Sequence, residues 1–127
     1  AYDRGHVIFS SLCAACHQQT GTGLEGLAPP LVDSEWVLGP ADRPIRIGLN
    51  GLSGPVSVNG TKWHLEMPPL RQLADEDIAG VLTYIRHEWE HNASPVSSND
   101  VSKIRAAVAD RKTSWTADDL KKPFPTK

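Results

Sequence analysis

Five consecutive residues, Cys13-Ala14-Ala15-Cys16-His17, constrain this chain more than any other feature, because they hold both of its cysteines and one of its five histidines. Four chemistries use cysteines at that spacing. A structural zinc site needs four nitrogen or sulfur ligands, so Cys13, Cys16 and His17 would need a fourth from His6, His64, His87 or His91, without the paired second half common in such sites. A thioredoxin-like redox pair opens a helix after a strand of a βαβ unit, whereas the residues before Cys13 read as a helix. A disulfide across two intervening residues closes a very small loop and adds little stability. The fourth chemistry is covalent attachment of a c-type haem, with two thioethers on the vinyl-derived carbons and the adjacent imidazole placed below the iron. That reading asks the rest of the chain for a second ligand, a haem-sized apolar crevice and helices to enclose it.

At 127 residues the chain has room for one core and not two. With 13 basic and 15 acidic side chains there is no cationic excess to hold a phosphate backbone, so nucleic acid is excluded as a partner. The uninterrupted apolar runs are only a few residues long, far short of the ~20 that span a bilayer. The chain begins at Ala1 without an initiator methionine or a basic-then-apolar leader. That start fits a mature product after signal cleavage or a trimmed segment.

From about Tyr2 to Ala15, Tyr2, His6, Phe9, Leu12 and Cys13 recur at spacings of three and four, which predicts an amphipathic helix leading into the cysteines. Gly5 inside it costs about 1 kcal/mol of helix propensity relative to alanine, which is either tolerated weakness or the mark of another helix approaching closely. Glycines and prolines make Gln18 to Leu31 a loop. Short helices are expected over Leu31 to Leu38 and Arg43 to Leu49. A hairpin is expected over Gly54 to Gly60, where Val56 and Val58 alternate with polar residues before the turn dipeptide Asn59-Gly60. The only methionine, Met67, precedes Pro68 and Pro69 in a loop that cannot be helical. Acids at Asp75, Glu76 and Asp77 open a helix that Ile78, Val81, Leu82 and Ile85 carry to about residue 90. Composition then changes. Residues 1–92 hold 6 basic and 11 acidic side chains, a net −5, and residues 93–127 hold 7 and 4, a net +3. Ser98-Asn99-Asp100 caps an expected helix through Val101, Ile104 and Val108, and Thr116 with Asp119 caps a final turn.

An N-terminal helix ending in Cys-x-x-Cys-His, a Gly/Pro-rich loop, a lone methionine in a Met-Pro loop and an amphipathic helix after it together resemble the class I cytochrome c family, over about residues 1–91. The resemblance implies an all-α class I cytochrome c fold wrapped around one covalent haem c. Residues 1–92 would be the haem domain and 93–127 a helical C-terminal extension. In that family the first and last helices cross through a Gly-x-x-x-aromatic pair, which Gly5 and Phe9 match, against a set that Val81, Tyr84 and Ile85 match. By the same resemblance Cys13 and Cys16 carry the thioethers and His17 is the proximal iron ligand. The Ala28-Pro29-Pro30-Leu31 loop resembles the family's Gly-Pro-x-Leu, with Ala28 for the leading glycine, which implies that the Pro29 carbonyl, or that of Pro30 after a small shift, accepts from the outer nitrogen of His17. Met67 is the distal ligand, and His64 is its rival three residues before. Arg46, Trp63, Trp36 and Asn59 are the candidate donors to the haem propionates. Leu31, Trp36, Val37, Ile45, Leu49, Leu65 and Leu70 are the expected walls of the crevice.

The stretch from Arg46 to Val56, with Val58-Asn59-Gly60 and Met67-Pro68-Pro69-Leu70, looks like the monohaem domains found with bacterial quinoprotein sugar and alcohol dehydrogenases. This implies a periplasmic one-electron carrier, not an enzyme, fed by a dehydrogenase and emptied by a cytochrome or terminal oxidase. A haem enzyme or gas sensor in which Met67 is labile is the alternative. Because the core is acidic, docking is expected through a small, largely apolar patch with weak salt dependence.

Overall fold

The computed structural model describes residues 2–64, 66–122 and 124. The N-terminal segment is helical from Tyr2 to His17, but not uniformly: α1 (Tyr2–Ile8) runs into a π-helical turn (Phe9–Cys13) and then into α2 (Ala14–His17). The expected single amphipathic helix is therefore broken in period at its centre. A π-turn inserts a residue into the ladder and is frequent at functional sites. Here it sits directly before the Cys-x-x-Cys-His run.

The costly Gly5 is where α5 (Asp75–His87) crosses α1. A Cβ on Gly5 would lie 1.9 Å from the Gly80 carbonyl oxygen and 2.9 Å from the Cβ of Tyr84. Only a glycine admits that approach. Aromatic rings close the crossing on either side: Tyr2 stacks on Tyr84 at 5.3 Å, and Phe9 meets Tyr84 at 5.4 Å. Arg4 pairs with Asp77 across the same contact.

Between these helices the chain forms α3 (Glu35–Leu38) and α4 (Asp42–Asn50). Helix α3 starts later than Leu31 because the buried Ser34 is its cap, its hydroxyl accepting from the Trp36 amide at 3.2 Å. A hairpin follows, β1 (Pro55–Val58) antiparallel to β2 (Thr61–His64), with Val56 opposite Trp63. Its turn residues Asn59 and Gly60 have φ of 53° and 85°, the positive values a two-residue turn requires. An all-α description is thus corrected to a mostly helical fold with one small sheet. Trp63 and His64, expected in the methionine loop, are strand residues, because the turn extends the pairing through them.

After α5 the chain leads through an extended stretch to α6 (Ser98–Ala107) and α7 (Ala117–Lys121). Helix α6 is capped one residue earlier than expected, by Ser97 in a reciprocal box with Asp100. Thr116 caps α7 by accepting from the Asp119 amide. The basic extension shares the core with everything before it: Val96, Val101, Ile104, Trp115 and Leu120 are buried in the same cluster as Phe9, Ile45, Leu49 and Ile78. Arg105 fastens α6 to the start of α5, donating to Asp75 Oδ1 at 2.7 Å and to the carbonyls of Arg71 and Leu73. Arg86, only 4% exposed, forms no salt bridge among the described residues, and burial alone lowers its pKa. It donates instead to the carbonyls of Val37, Gly39 and Ser94, tying α5 to the end of α3. No described helix is long and apolar enough to cross a membrane.

Candidate functional site

One apolar cavity gathers the chemistry-bearing residues. The π-turn and α2 bring Cys13, Cys16 and His17 to it, and the loop after β2 brings Met67. Phe9, Leu31, Trp36, Val37, Leu70, Ile78, Val81, Leu82 and Ile85 wall it, with Val56, Val58 and Trp63 from the hairpin. Of the expected wall, Leu31, Trp36, Val37 and Leu70 are there, and Leu65 lies outside the described residues. Ile45 and Leu49 are corrected: they belong to the core, each 1% exposed, while Pro44, Ile47 and Gly48 form the cavity face of α4. Those three are the i, i+3, i+4 set on the neighbouring stripe of the helix, which a short amphipathic segment with apolar residues on both stripes does not distinguish.

His17 Nδ1 lies 2.9 Å from the Pro29 carbonyl. Burial pushes the imidazole pKa below its usual value, opposed in part by that hydrogen bond. The ring is therefore neutral near pH 7, with Nδ1–H donating to Pro29 and Nε2 left as an electron-pair donor. Cys13 and Cys16 are both free thiols. Burial, with a smaller contribution from Cys16, raises the Cys13 thiol to about 11, so it is protonated at neutral pH. Among the described residues no group of three or more His, Cys, Asp or Glu side chains converges, so the zinc reading lacks a ligand set. The helix before Cys13 likewise departs from the strand-then-helix setting of a thioredoxin pair.

The four candidate propionate donors separate. Arg46 is placed elsewhere: only 2% exposed, it donates to Asp42 Oδ2 at 2.6 Å and to the Leu120 carbonyl. The rings of Trp115 and Phe124 lie 4.8 and 4.7 Å from its guanidinium. Asn59 is spent in the hairpin turn, its amide side chain donating to the Val32 carbonyl at 3.0 Å. Trp36 walls the cavity, but its indole N–H already donates to the Ser57 carbonyl at 2.8 Å. Trp63 differs, because its Nε1 is buried at the cavity without a hydrogen-bond partner, alone in that condition among the described residues. A buried donor left unpaired is costly, and such an atom in a native site implies a missing acceptor.

The other histidines serve elsewhere. His64 is exposed at the end of β2. His6 stacks on Tyr84 at 5.0 Å, and His87 meets the edge of Tyr2. His91 is a buried clamp: Nε2 accepts from the Asp33 amide at 2.9 Å and Nδ1 donates to the Ile85 carbonyl at 2.8 Å. The sequence pointed to no role for Arg86 and offered His91 only as a spare zinc ligand or a solvated or structural histidine, because their partners are backbone carbonyls and amides that no residue pattern displays.

The Met67 loop is held at its backbone. Leu52 and Met67 exchange both of their hydrogen bonds, at 3.1 and 2.9 Å, and the Leu70 amide donates to the Gly48 carbonyl at 2.8 Å. Gly51 makes room for this: its φ is 84°, and a Cβ on it would lie 2.4 Å from the Met67 carbonyl oxygen.

Two thiols at fixed separation, a neutral imidazole oriented by a carbonyl, a thioether and one unpaired N–H around an apolar cavity fit a haem bound through its vinyl groups. Comparison with known proteins agrees. The family described as Cytochrome c matches residues 2–89. Cytochrome c-552 of Thermus thermophilus is 36% identical over 103 residues, covering 74% of this chain and 79% of that protein. The cytochrome c subunit of the quinone alcohol dehydrogenase of Gluconobacter oxydans is 29% identical over 109 residues, covering 83% of this chain and 22% of the subunit. The gluconate 2-dehydrogenase cytochrome c subunit of Pantoea cypripedii is 32% identical over 108 residues, covering 80% of this chain and 24% of the subunit.

Proposed function

The chain belongs to the cytochrome c family, and from that membership we propose that it is a monohaem, class I, periplasmic carrier that takes single electrons from a dehydrogenase. Electron transfer on a covalent haem c is what the family itself carries; the ligand set, the compartment and the donor are the proposal. When bound, haem c supplies a one-electron couple at iron.

The chain's own residues do the rest. Cys13 and Cys16 supply the two thioether sulfurs, and His17 supplies a neutral Nε2. The Pro29 carbonyl fixes the ring of His17 and strengthens its donation by accepting from Nδ1–H. Met67 would supply a soft thioether to the iron, which favours a higher reduction potential than a second histidine would. Trp63 offers its indole N–H to a haem carboxylate. The apolar walls keep water from the reacting centre, so little polar rearrangement accompanies each electron. With His17 and Met67 both holding the group, no place would be left for a substrate on the metal.

The observation that carries this reading is the meeting of His17 and Met67 at one apolar cavity with both cysteines. The dehydrogenase donor is supported by the two cytochrome subunits it resembles, which belong to an alcohol and a gluconate dehydrogenase. The acceptor would be a further cytochrome or a terminal oxidase.

The test is a visible spectrum of the haem-loaded chain, oxidised and dithionite-reduced, repeated on Met67→Ala. A sharp low-spin reduced spectrum and a weak far-red sulfur-to-iron band that vanishes in the variant are expected. A high-spin spectrum, or carbon monoxide binding readily to the unaltered protein, would overturn the carrier reading in favour of a haem enzyme or gas sensor.

A further inference from the structure

Trp115 lies beyond residues 2–89, the part of the chain that matches the family, yet it forms the outer layer behind the Met67 loop. Leu52 faces Met67 on one side through two backbone hydrogen bonds. Its neighbours face Trp115 on the other: the Ser53 amide donates to the Trp115 carbonyl at 2.9 Å, and the Trp115 amide donates to the Gly51 carbonyl at 3.0 Å. Residues 51–53 are thus the middle of a three-layer ribbon, with Met67 at one edge and Trp115 at the other.

Pro68 and Pro69 have no N–H to donate. Across residues 67–69 the Met67 amide is therefore the sole backbone donor, and it is committed to Leu52. The position of the loop follows the position of Leu52, and Leu52 is held from behind. Trp115 is itself well fixed. It is 8% exposed, and its Nε1 donates to Asn50 Oδ1 at 3.2 Å at the end of α4. Arg111 lies 3.6 Å and Arg46 4.8 Å from its ring.

We propose that Trp115 is a positioning residue for the Met67 sulfur, holding residues 51–53 so that the methionine loop cannot swing away from the cavity. This rests on the reading of Met67 as an axial ligand. An outside ligand reaches the sixth position only in the fraction of molecules whose loop has opened, so its apparent affinity reports that fraction.

The experiment uses the haem-loaded 127-residue chain, with imidazole as the competing ligand of the oxidised form and the far-red band as the second readout. Trp115→Ala is expected to bind imidazole about tenfold more tightly than the unaltered protein and to show a weakened band. Trp115→Phe, which keeps the ring and the backbone pairing, is expected to restore affinity to within about threefold. Val101→Ala, a core truncation in α6 at a residue whose amide bonds Ser97 and not the ribbon, is expected to lower thermal stability and leave imidazole affinity unchanged. An unchanged affinity in Trp115→Ala overturns the proposal, as does a Val101→Ala that rises equally. If Trp115→Ala does not fold, amide hydrogen exchange on the reduced unaltered protein decides. Leu52, Ser53, Met67 and Trp115 are expected to share one protection factor within about threefold, as a single opening unit. Protection of Met67 and Leu52 more than about tenfold above that of Ser53 and Trp115 overturns the proposal. Met67→Ala separates the two claims: if it keeps the far-red band the ligand reading falls, and if it loses the band while Trp115→Ala leaves imidazole binding unchanged, only the role of Trp115 falls.

Discussion

At the scale of single residues, the unpaired indole of Trp63 is the most informative atom in the site. A buried N–H with no acceptor costs roughly 1–3 kcal/mol, so its persistence at the cavity edge points to an acceptor that arrives with the haem. A donor to a carboxylate holds that carboxylate's pKa down. Trp63→Phe removes the donor and keeps an aromatic ring. It is therefore expected to move the inflection of midpoint potential against pH upward by about one unit. An inflection that stays put removes Trp63 from the carboxylate. Trp63, Trp36, Arg46 and Asn59 were equal candidates in the sequence because donor chemistry is all a residue name reveals. Their separation depended on which donors were already spent: Trp36 on Ser57, Asn59 on Val32, and Arg46 on Asp42 and Leu120. Cys13, Cys16 and His17 were legible for the opposite reason, since their geometry is set by covalent spacing within one helical turn.

At the scale of elements, the crossing of α1 and α5 was implied by the family resemblance that Gly5 matched, since a glycine where helix propensity argues against one left tolerated weakness equally open. The 1.9 Å separation between a built Cβ and the Gly80 carbonyl oxygen leaves no room for even a methyl group, and the obstacle is backbone, which cannot rotate aside. Gly5→Ala must push the helices apart, disturbing the Tyr2–Tyr84 and Phe9–Tyr84 contacts together. A loss of about 2 kcal/mol or more in guanidinium unfolding of the haem-loaded protein is expected, despite alanine's better helix propensity. A change under about 0.5 kcal/mol would mean that the crossing yields freely. Periodicity was less informative where the period itself changes. The π-turn over Phe9–Cys13 inserts its residue without altering which side chains are apolar, so a 3.6-residue template passes over it. The hairpin's strand pattern reached only to Gly60, because β2 reads Thr61-Lys62-Trp63-His64, mostly polar and mostly exposed, and was recruited by the turn rather than by its own alternation.

For the whole molecule, charge counting separated a core at −5 from an extension at +3, and the fold joins them. Arg105 of the extension meets Asp75 of the core at 2.7 Å, while Val101, Ile104, Trp115 and Leu120 sink into the shared cluster. A net-charge difference records neither pairing nor burial, which is why the extension read as an appendage. This matters for docking. Arg46 and Arg86 are buried, Arg4, Arg105 and Arg111 are paired, and among the described residues no lysine or arginine lines the cavity. What the Cys13 side of the molecule presents is apolar: Leu12 is 48% exposed, and Leu27, which reaches the cavity, is 44% exposed. Long-range attraction between exposed charges is screened within about 10 Å at 0.1 M salt, whereas apolar contact is not. The second-order rate of electron transfer with a protein donor is therefore expected to change by less than about threefold between roughly 10 and 200 mM salt. Leu12→Lys is expected to lower that rate while leaving the visible spectrum intact, because Leu12 is exposed and does not line the cavity. A fall of tenfold or more across that salt range would show instead that opposite charges steer the encounter. The contact face would then have to be sought among the exposed acids of the first 92 residues.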